Sequence, residues 1–234
     1  MRQLTGMKYI IIGLGNFGSS LAQKLTQAGH EVIGVDKQQS KVEALKEKIT
    51  HTICLDTTDE QAVQHLPLRE CDIVMVCIGE DEGANILTTA LMKQSRAKRL
   101  ISRAVSPLHQ TILEAMQVDE IVHPEEETAE RWAKKLNIRG VIDSFELSGE
   151  FSIVEAKVPE RYVGKTLEEA GLNKTHNVVV LTTIKMDERT NIIGVTKKVP
   201  QVQGIATSKT VLGKSDLMVL YGKTTDIQRL LKGD

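Results

Sequence analysis

A glycine-rich turn near the start of the chain decides the fold. After the apolar run of residues 9–12, the sequence reads Gly13-Leu14-Gly15-Asn16-Phe17-Gly18. In this Gly-x-Gly-x-x-Gly pattern the first glycine permits a tight turn, the second lets a ligand approach the main chain, and the third lets a helix pack on the preceding strand. The N–H groups and the dipole at the start of that helix favour a phosphate. The stretch therefore predicts a strand, a phosphate-binding turn and a helix.

An acidic residue at the end of the next predicted strand strengthens this interpretation. Asp36 lies 18 residues after Gly18, at a distance where a carboxylate binds ribose hydroxyls in dinucleotide-binding folds. Together, the glycine turn and Asp36 predict an adenine-nucleotide site. The acid also disfavours NADP, whose ribose carries a 2′-phosphate. An exposed acidic turn before Lys37 is the alternative interpretation of Asp36 taken alone.

Short apolar runs and segments with helical periodicity alternate over the first part of the chain. This alternation predicts an α/β fold with a Rossmann-like, doubly wound parallel sheet. Ser106 followed by Pro107 is typical of a helix start. We expect strands at residues 9–12, 31–35, 52–55, 73–77, 99–102 and 120–122, and helices at residues 19–28, 39–48, 83–93, 106–116 and 125–136. In the third of these helices, Ile86, Leu87, Ala90 and Leu91 form the expected buried face.

The pattern changes after a break at residues 137–140. Strand-like runs at 144–158, 177–186, 192–199 and 217–221, with helices at 166–170 and 224–231, predict a second, smaller α+β domain. Residues 1–140 are therefore expected to form the nucleotide-binding domain and residues 141–234 the second domain. The polar stretch at 186–207 predicts an extended hairpin or a mobile loop.

Three further strand ends point to the same cleft, because ligands of such sheets lie beyond the carboxyl ends of the strands. Asp56 and Thr57 follow the third predicted strand, Ile78 and Gly79 follow the fourth, and Arg103 ends the fifth. Asp56 is suited to the adenine amino group, the Ile78-Gly79 pair to packing on the base or ribose, and Arg103 to a phosphate. Simple turns and a surface arginine are the alternative interpretations.

Composition excludes several classes of function. With 41% apolar and 26% charged residues the chain is globular, and its formal net charge of −1 argues against a strongly basic nucleic-acid binder. A dehydrogenase needs a catalytic acid or base beside its cofactor. The second domain offers no evident His–Asp or Cys–His pair, which favours a protein that is not an enzyme. An NAD-dependent oxidoreductase stays the alternative.

The sequence resembles the regulatory subunits of Trk/Ktr potassium-uptake systems, which contain the regulator-of-potassium-conductance (RCK) domain. The resemblance covers essentially the whole chain, from the TrkA-N part to the TrkA-C (RCK-C) part. Its later elements are more specific than the glycine turn, which dehydrogenases share. It rests on residues 11–18, 29–32, 35–36, 56–58, 78–79, 85–86, 103, 121–125, 155, 158–159 and 164–167.

The resemblance implies a regulatory subunit that is not an enzyme. It would form a homo-oligomer, from a dimer to an octameric ring, on the cytoplasmic face of a membrane potassium-translocating subunit. ATP or ADP, with NAD(H) in the Trk branch, would bind the first domain, and the ring would change shape and so gate the partner. The helix after residue 125 would cross over between neighbours. A regulator of a different cation or amino-acid transporter is the alternative within the same family.

The resemblance also assigns roles to single residues. Asp36 would hold ribose, Asp56-Thr57 would face adenine, Arg103 would contact phosphate, and Glu125 would lie near the phosphates and help to hold a divalent cation such as Mg²⁺. The expected nucleotide-binding residues are therefore Gly13, Gly15, Asn16, Phe17, Gly18, Asp36, Lys37, Asp56, Thr57, Ile78, Gly79, Arg103 and Glu125.

Asn16 departs from the family pattern. Ktr-type members often carry an arginine there, which senses the terminal phosphate of ATP. Without that cation, NAD(H), ADP or AMP gains weight as the ligand relative to ATP. In some relatives the second domain binds cyclic di-AMP, and the same is a possibility for residues 141–234 here.

Overall fold

The computed structural model describes residues 6–137, 140–190 and 196–233. The chain divides into two compact units, Met1–Glu125 and Glu126–Asp234. The expected domain limit at residue 140 stays a prediction. Residues 138–139 of the expected break and residues 192–195 of an expected strand lie outside the described residues. Within the described ranges, no helix is both long and apolar enough to cross a membrane.

The first unit contains a six-stranded sheet in the order β3-β2-β1-β4-β5-β6, and all neighbouring strands are parallel. This is the strand order of doubly wound dinucleotide-binding folds, so the predicted Rossmann-like α/β class is confirmed. The strands are β1 (Lys8–Ile12), β2 (Glu31–Asp36), β3 (His51–Cys54), β4 (Ile73–Val76), β5 (Leu100–Arg103) and β6 (Glu120–Val122). Its helices are α1 (Asn16–Gln27), α2 (Gln39–Leu45), α3 (Glu60–Val63), α4 (Glu82–Gln94) and α5 (Pro107–Ala115). Helix α6 (Pro124–Asn137) begins at the end of the first unit and belongs mostly to the second.

Strand β1 lies in the centre of this sheet and is buried on both faces. Because side chains alternate along a strand, Ile10 and Ile12 pack in one hydrophobic cluster and Ile11 packs in the cluster on the other face. A sheet covered on both sides explains why the strands read as continuous apolar runs. The turn after β1 is thereby held at the carboxyl edge of the sheet.

Helix α4 contradicts part of the expectation for its buried face: Leu91 packs against the core, but Leu87 and Ala90 are exposed. The fully buried positions are Asn85, Thr88, Thr89 and Met92, whereas Leu87 is 56% exposed. The apolar periodicity was misleading because polar residues face the sheet here and satisfy one another by hydrogen bonds. The predicted start of α5 is confirmed: the Ser106 hydroxyl accepts the His109 N–H at 3.2 Å, with Pro107 in the first turn.

The second unit contains a five-stranded antiparallel sheet in the order β10-β9-β11-β8-β7. Helices and a 3₁₀ turn accompany it, so the predicted α+β class is confirmed. Its core contains Val154, Met218, Leu220, Ile227 and Leu230. The elements are β7 (Val141–Ser148), β8 (Phe151–Lys157), a 3₁₀ turn (Glu160–Tyr162), α7 (Leu167–Ala170), α8 (Leu172–His176), β9 (Val179–Thr190), β10 (Thr196–Val202), β11 (Leu217–Lys223) and α9 (Thr224–Lys232).

Two segments of this unit, 144–158 and 186–207, are described only in part by the sequence expectation. The run at 144–158 is not one strand, because a turn at Gly149-Glu150 divides it into β7 and β8. Strand β10 lies in the polar stretch at 186–207 and pairs antiparallel with residues 184–190 of β9. Of the two expected forms, the extended hairpin is therefore the one that these strands adopt.

Candidate functional site

A cavity of about 300 Å³ opens at the carboxyl edge of the parallel sheet. Its size lies at the lower end of the range for small-molecule sites. All of the predicted binding residues except Gly18 line it. They come from the last residues of β2 and β5 and from the segments that follow β1, β2, β3, β4 and β6. The lining residues are Ile12, Gly13, Gly15, Asn16, Phe17, Asp36, Lys37, Gln38, Lys41, Leu55, Asp56, Thr57, Thr58, Cys77, Ile78, Gly79, Glu80, Asp81, Ala84, Arg103 and Glu125.

The three glycines of the turn have different structural roles. Gly13 has φ +90°, and a Cβ at Gly18 would lie 2.0 Å from the Gly13 carbonyl oxygen, so these two glycines let the turn and the helix form. Around Gly15, no described residue comes within 4 Å of an added Cβ. Gly15 therefore keeps the approach to the helix start open, where the first N–H groups of α1 have no intrahelical partner.

Two backbone N–H groups, one from the glycine turn and one from the segment after β2, hold the Asp36 carboxylate at the end of β2. One carboxylate oxygen accepts the Leu14 N–H at 2.7 Å and the other accepts the Gln38 N–H at 2.8 Å. Asp36 is only 8% exposed, so these bonds fix the orientation of the carboxylate. Each oxygen has a second lone pair that can accept a ribose hydroxyl. The bond to Leu14 also ties Asp36 to the glycine turn.

Asp56 and Thr57 form the edge of the cavity after β3. The Asp56 carboxylate accepts the Thr58 hydroxyl at 2.7 Å and the Thr58 N–H at 3.0 Å. These bonds lower the pKa of Asp56, because they stabilise the charged form. The carboxylate is thus kept as an acceptor, which matches the amino group of adenine. Thr57 is buried, and its hydroxyl bonds the Thr88 hydroxyl at 2.9 Å.

Arg103 lies across the segment that follows β4. An added Cβ at Gly79 would be 2.4 Å from the guanidinium carbon, so Gly79 lets this side chain lie flat against the backbone. One terminal nitrogen of Arg103 pairs with Glu125 at 2.5 Å, and the other reaches the Cys77 carbonyl at 3.4 Å. Among the described residues the buried Arg103 Nε has no hydrogen-bond partner. Each terminal nitrogen carries two N–H groups and uses one of them in these contacts, so the guanidinium keeps donor capacity for a phosphate oxygen.

The divalent-cation role of Glu125 stays a prediction. Its carboxylate is paired with Arg103, and no group of three or more His, Cys, Asp or Glu residues suited to a metal occurs in the described parts of the chain. Mg²⁺ is commonly held by one or two carboxylates together with nucleotide phosphates. The side chains thus fit a cation only in company with ligand phosphates.

Sequence reasoning missed three charged residues of this cavity: Lys41, Glu80 and Asp81. The Lys41 amine lies 4.0 Å from Asp36 and 3.8 Å from Glu80. Its position in the first turn of α2 gave no signal in the sequence, because only the fold brings α2 near the segment after β4. Among the described lining residues, five carboxylates face three cations, so the site offers little net attraction to a highly charged anion.

The second unit has a separate groove of about 410 Å³. An ion pair between Arg131 and Asp143 lies on it and lowers the pKa of Asp143, mainly through the hydrogen bond from Arg131. Binding of cyclic di-AMP in this part of the chain stays an untested possibility that the family resemblance raises. The groove is lined by Arg131, Asp143, Ser144, Phe145, Ile153, Glu155 and Val219.

Comparison with known proteins identifies the family. The TrkA-N domain model matches residues 9–124. The chain is 32% identical to the Ktr system potassium uptake protein C of Bacillus subtilis (strain 168), covering 96% of each chain. It is 30% identical to the Ktr system potassium uptake protein A of the same organism, covering 77% of this chain and 82% of that protein.

A solved structure shares the fold. The GsuK channel bound to NAD matches with a TM-score of 0.60 and 19% identity, covering all of this chain and 40% of that one. This chain therefore spans less than half of the GsuK chain. The TrkA-N match and the two potassium-uptake relatives establish the family. The chain belongs to the Trk/Ktr family of RCK-type potassium-uptake regulatory proteins.

Proposed function

We propose that this chain binds an adenine nucleotide in the cavity of its first unit and thereby regulates a separate membrane subunit that translocates potassium. The observation that carries the proposal is the convergence of the glycine turn, Asp36, Asp56 and Arg103 on one cavity. The glycine turn and Arg103 are suited to phosphate, Asp36 to ribose and Asp56 to adenine. Membership of a potassium-uptake family supports the membrane partner and a role that is not enzymatic.

The charge of the cavity favours nucleotides with few phosphate charges. Five carboxylates outnumber three cations among the described lining residues, and Asn16 adds no cation at the helix start. NAD(H), ADP and AMP carry less charge than ATP, which would need a divalent cation beside Glu125 to offset its terminal phosphate. The match to a GsuK channel solved with NAD is in keeping with this order.

Regulation follows from differential binding. A nucleotide shifts the partner's gate only as far as its affinities differ between two shapes of the regulatory assembly. The assembly would be a homo-oligomer, up to the octameric ring of the family, on the cytoplasmic side of the membrane subunit. The equilibrium between the two shapes would then depend on whether NAD(H), ADP or no nucleotide occupies the site.

Potassium uptake tests this proposal. The chain would be expressed with a Trk/Ktr-type membrane subunit in a bacterium that lacks its own potassium uptake, and growth would be followed at low potassium. We expect the wild type to stimulate growth and Asp36→Ala to lose this effect. Asp59→Ala is the matched control, because Asp59 caps α3 through the Gln61 N–H and does not line the cavity. Equal growth with and without the chain would contradict the proposal.

A further inference from the structure

Helix α4 turns a stripe of polar side chains towards the sheet. Asn85, Thr88 and Thr89 are each 0% exposed and follow the i, i+3, i+4 spacing of one helical face. Burying polar groups costs free energy unless they are hydrogen-bonded. All three are bonded, and two of them bond to backbone or side-chain groups of the nucleotide cavity.

Asn85 joins two strand ends with a single amide group. Its nitrogen donates to the Ile78 carbonyl at 2.8 Å and to the Arg103 carbonyl at 3.1 Å. Its oxygen lies 3.0–3.2 Å from the Ser102 hydroxyl, the Thr89 hydroxyl and the His109 ring. The two carbonyls can only accept, so the amide nitrogen must face them and the orientation is unambiguous.

Thr88 holds a third strand end. Its hydroxyl bonds the buried Thr57 hydroxyl at 2.9 Å, and Thr57 lines the cavity after β3. Thr89 is chemically the same and equally buried, but among the described residues its hydroxyl bonds Asn85 and Ser102, neither of which lines the cavity. Thr88 and Thr89 are thus a matched pair of buried threonines: Thr88 bonds a cavity-lining residue directly, whereas Thr89 reaches the cavity only indirectly, through Asn85.

We propose that Asn85 and Thr88 are positioning residues that set the geometry of the nucleotide cavity from beneath without contacting the ligand. Asn85 fixes the segment after β4 relative to the end of β5. The Arg103 guanidinium lies against Gly79, so a shift between these two segments moves the proposed phosphate contact. Thr88 fixes Thr57 at the proposed adenine edge. Binding sites lose affinity when their contact groups are displaced by about 1 Å.

Valine and serine substitutions separate positioning from simple stability. Thr88→Val keeps the shape but removes the hydroxyl, whereas Thr88→Ser keeps the hydroxyl and loses a methyl group. By calorimetry with ADP and NAD, we expect roughly three- to tenfold weaker binding for Thr88→Val, and binding within about twofold of the wild type for Thr88→Ser and Thr89→Val. Asn85→Asp, which loses the donor to both carbonyls, should weaken binding about tenfold or more.

The affinity readout rests on the proposed nucleotide site, so amide hydrogen exchange provides a second readout that needs no ligand. We expect faster exchange at residues 56–58 in Thr88→Val and at residues 77–80 in Asn85→Asp, with no such local change in Thr89→Val. If the wild type binds no adenine nucleotide, the proposed function fails and exchange alone decides the inference. Equal behaviour of Thr88→Val and Thr89→Val, in affinity or in exchange, would overturn it.

Discussion

Replacing Gly15 with alanine separates the two roles of glycine in the phosphate-binding turn. Gly15 has φ −68° and ψ −169°, a conformation that alanine adopts without strain, and within the described chain nothing lies within 4 Å of its added Cβ. At Gly18 the added Cβ would lie 2.0 Å from a backbone carbonyl oxygen. Gly15→Ala should therefore keep the fold, whereas Gly18→Ala should disrupt it.

The two effects of Gly15→Ala differ greatly in size. Alanine caps a helix less well than glycine but restricts the unfolded chain, and these opposing terms of about 0.5–1 kcal/mol leave the free energy of unfolding nearly unchanged. For the ligand, the methyl group fills the approach to the first N–H groups of α1. Losing one charge-assisted hydrogen bond costs about 1.5–3 kcal/mol, which weakens nucleotide binding roughly 10- to 150-fold.

Calorimetry with ADP and NAD, beside thermal unfolding, checks this prediction. Gly149→Ala is the matched control, because its added Cβ also meets no described residue within 4 Å and it lies in the second unit. That variant should bind like the wild type. If Gly15→Ala also binds like the wild type while remaining folded, the phosphate does not lie at the glycine turn.

Three further substitutions test the site and its support. Asp36→Ala should weaken adenosine-nucleotide binding by about 1.5–3 kcal/mol in calorimetry, since two charge-assisted bonds to ribose are lost; unchanged affinity would refute the ribose assignment. Glu125→Gln should strengthen magnesium-free ADP binding by up to about fivefold, because the exposed carboxylate no longer competes with the ADP phosphates for Arg103. Calorimetry in EDTA, which removes Mg²⁺, checks this, and weaker ADP binding by the variant would contradict the competition. Burial lowers the pKa of His109, so the unfolded chain takes up a proton that the folded chain resists and stability falls below about pH 6.5. Urea unfolding at two pH values should show a smaller acid loss in His109→Gln than in the wild type, and an equal loss would contradict this role.

The parallel sheet and the residues along its carboxyl edge could be predicted from sequence. The glycine turn is a local sequence pattern that predicts a strand, a tight turn and a helix, and Asp36 lies at a characteristic sequence separation from it. Because parallel strands end at the same edge, the sequence alone places Asp56, Ile78 and Arg103 beside one another, and all three line the cavity.

The remaining features depend on contacts that no local pattern encodes. Lys41 reaches the cavity only because α2 packs near the segment after β4. Hydrophobic periodicity predicts a buried face of Ile86, Leu87, Ala90 and Leu91 on α4. Of these Leu91 packs against the core, but the fully buried positions include Asn85 and Thr88. Polar side chains can replace apolar ones in a core when each finds a partner, and those partners lie on other strands.

The binding of nucleotides to the unmodified protein tests the central claim most directly. Isothermal titration calorimetry would compare ATP, ADP, AMP, NAD, NADH and cyclic di-AMP, with the products of each titration analysed for turnover. We expect saturable binding of at least one adenine nucleotide, NAD(H), ADP or AMP ahead of magnesium-free ATP, and no chemical change in it. A folded protein that binds none of these adenine nucleotides, or one that consumes NADH with a substrate, would contradict the account.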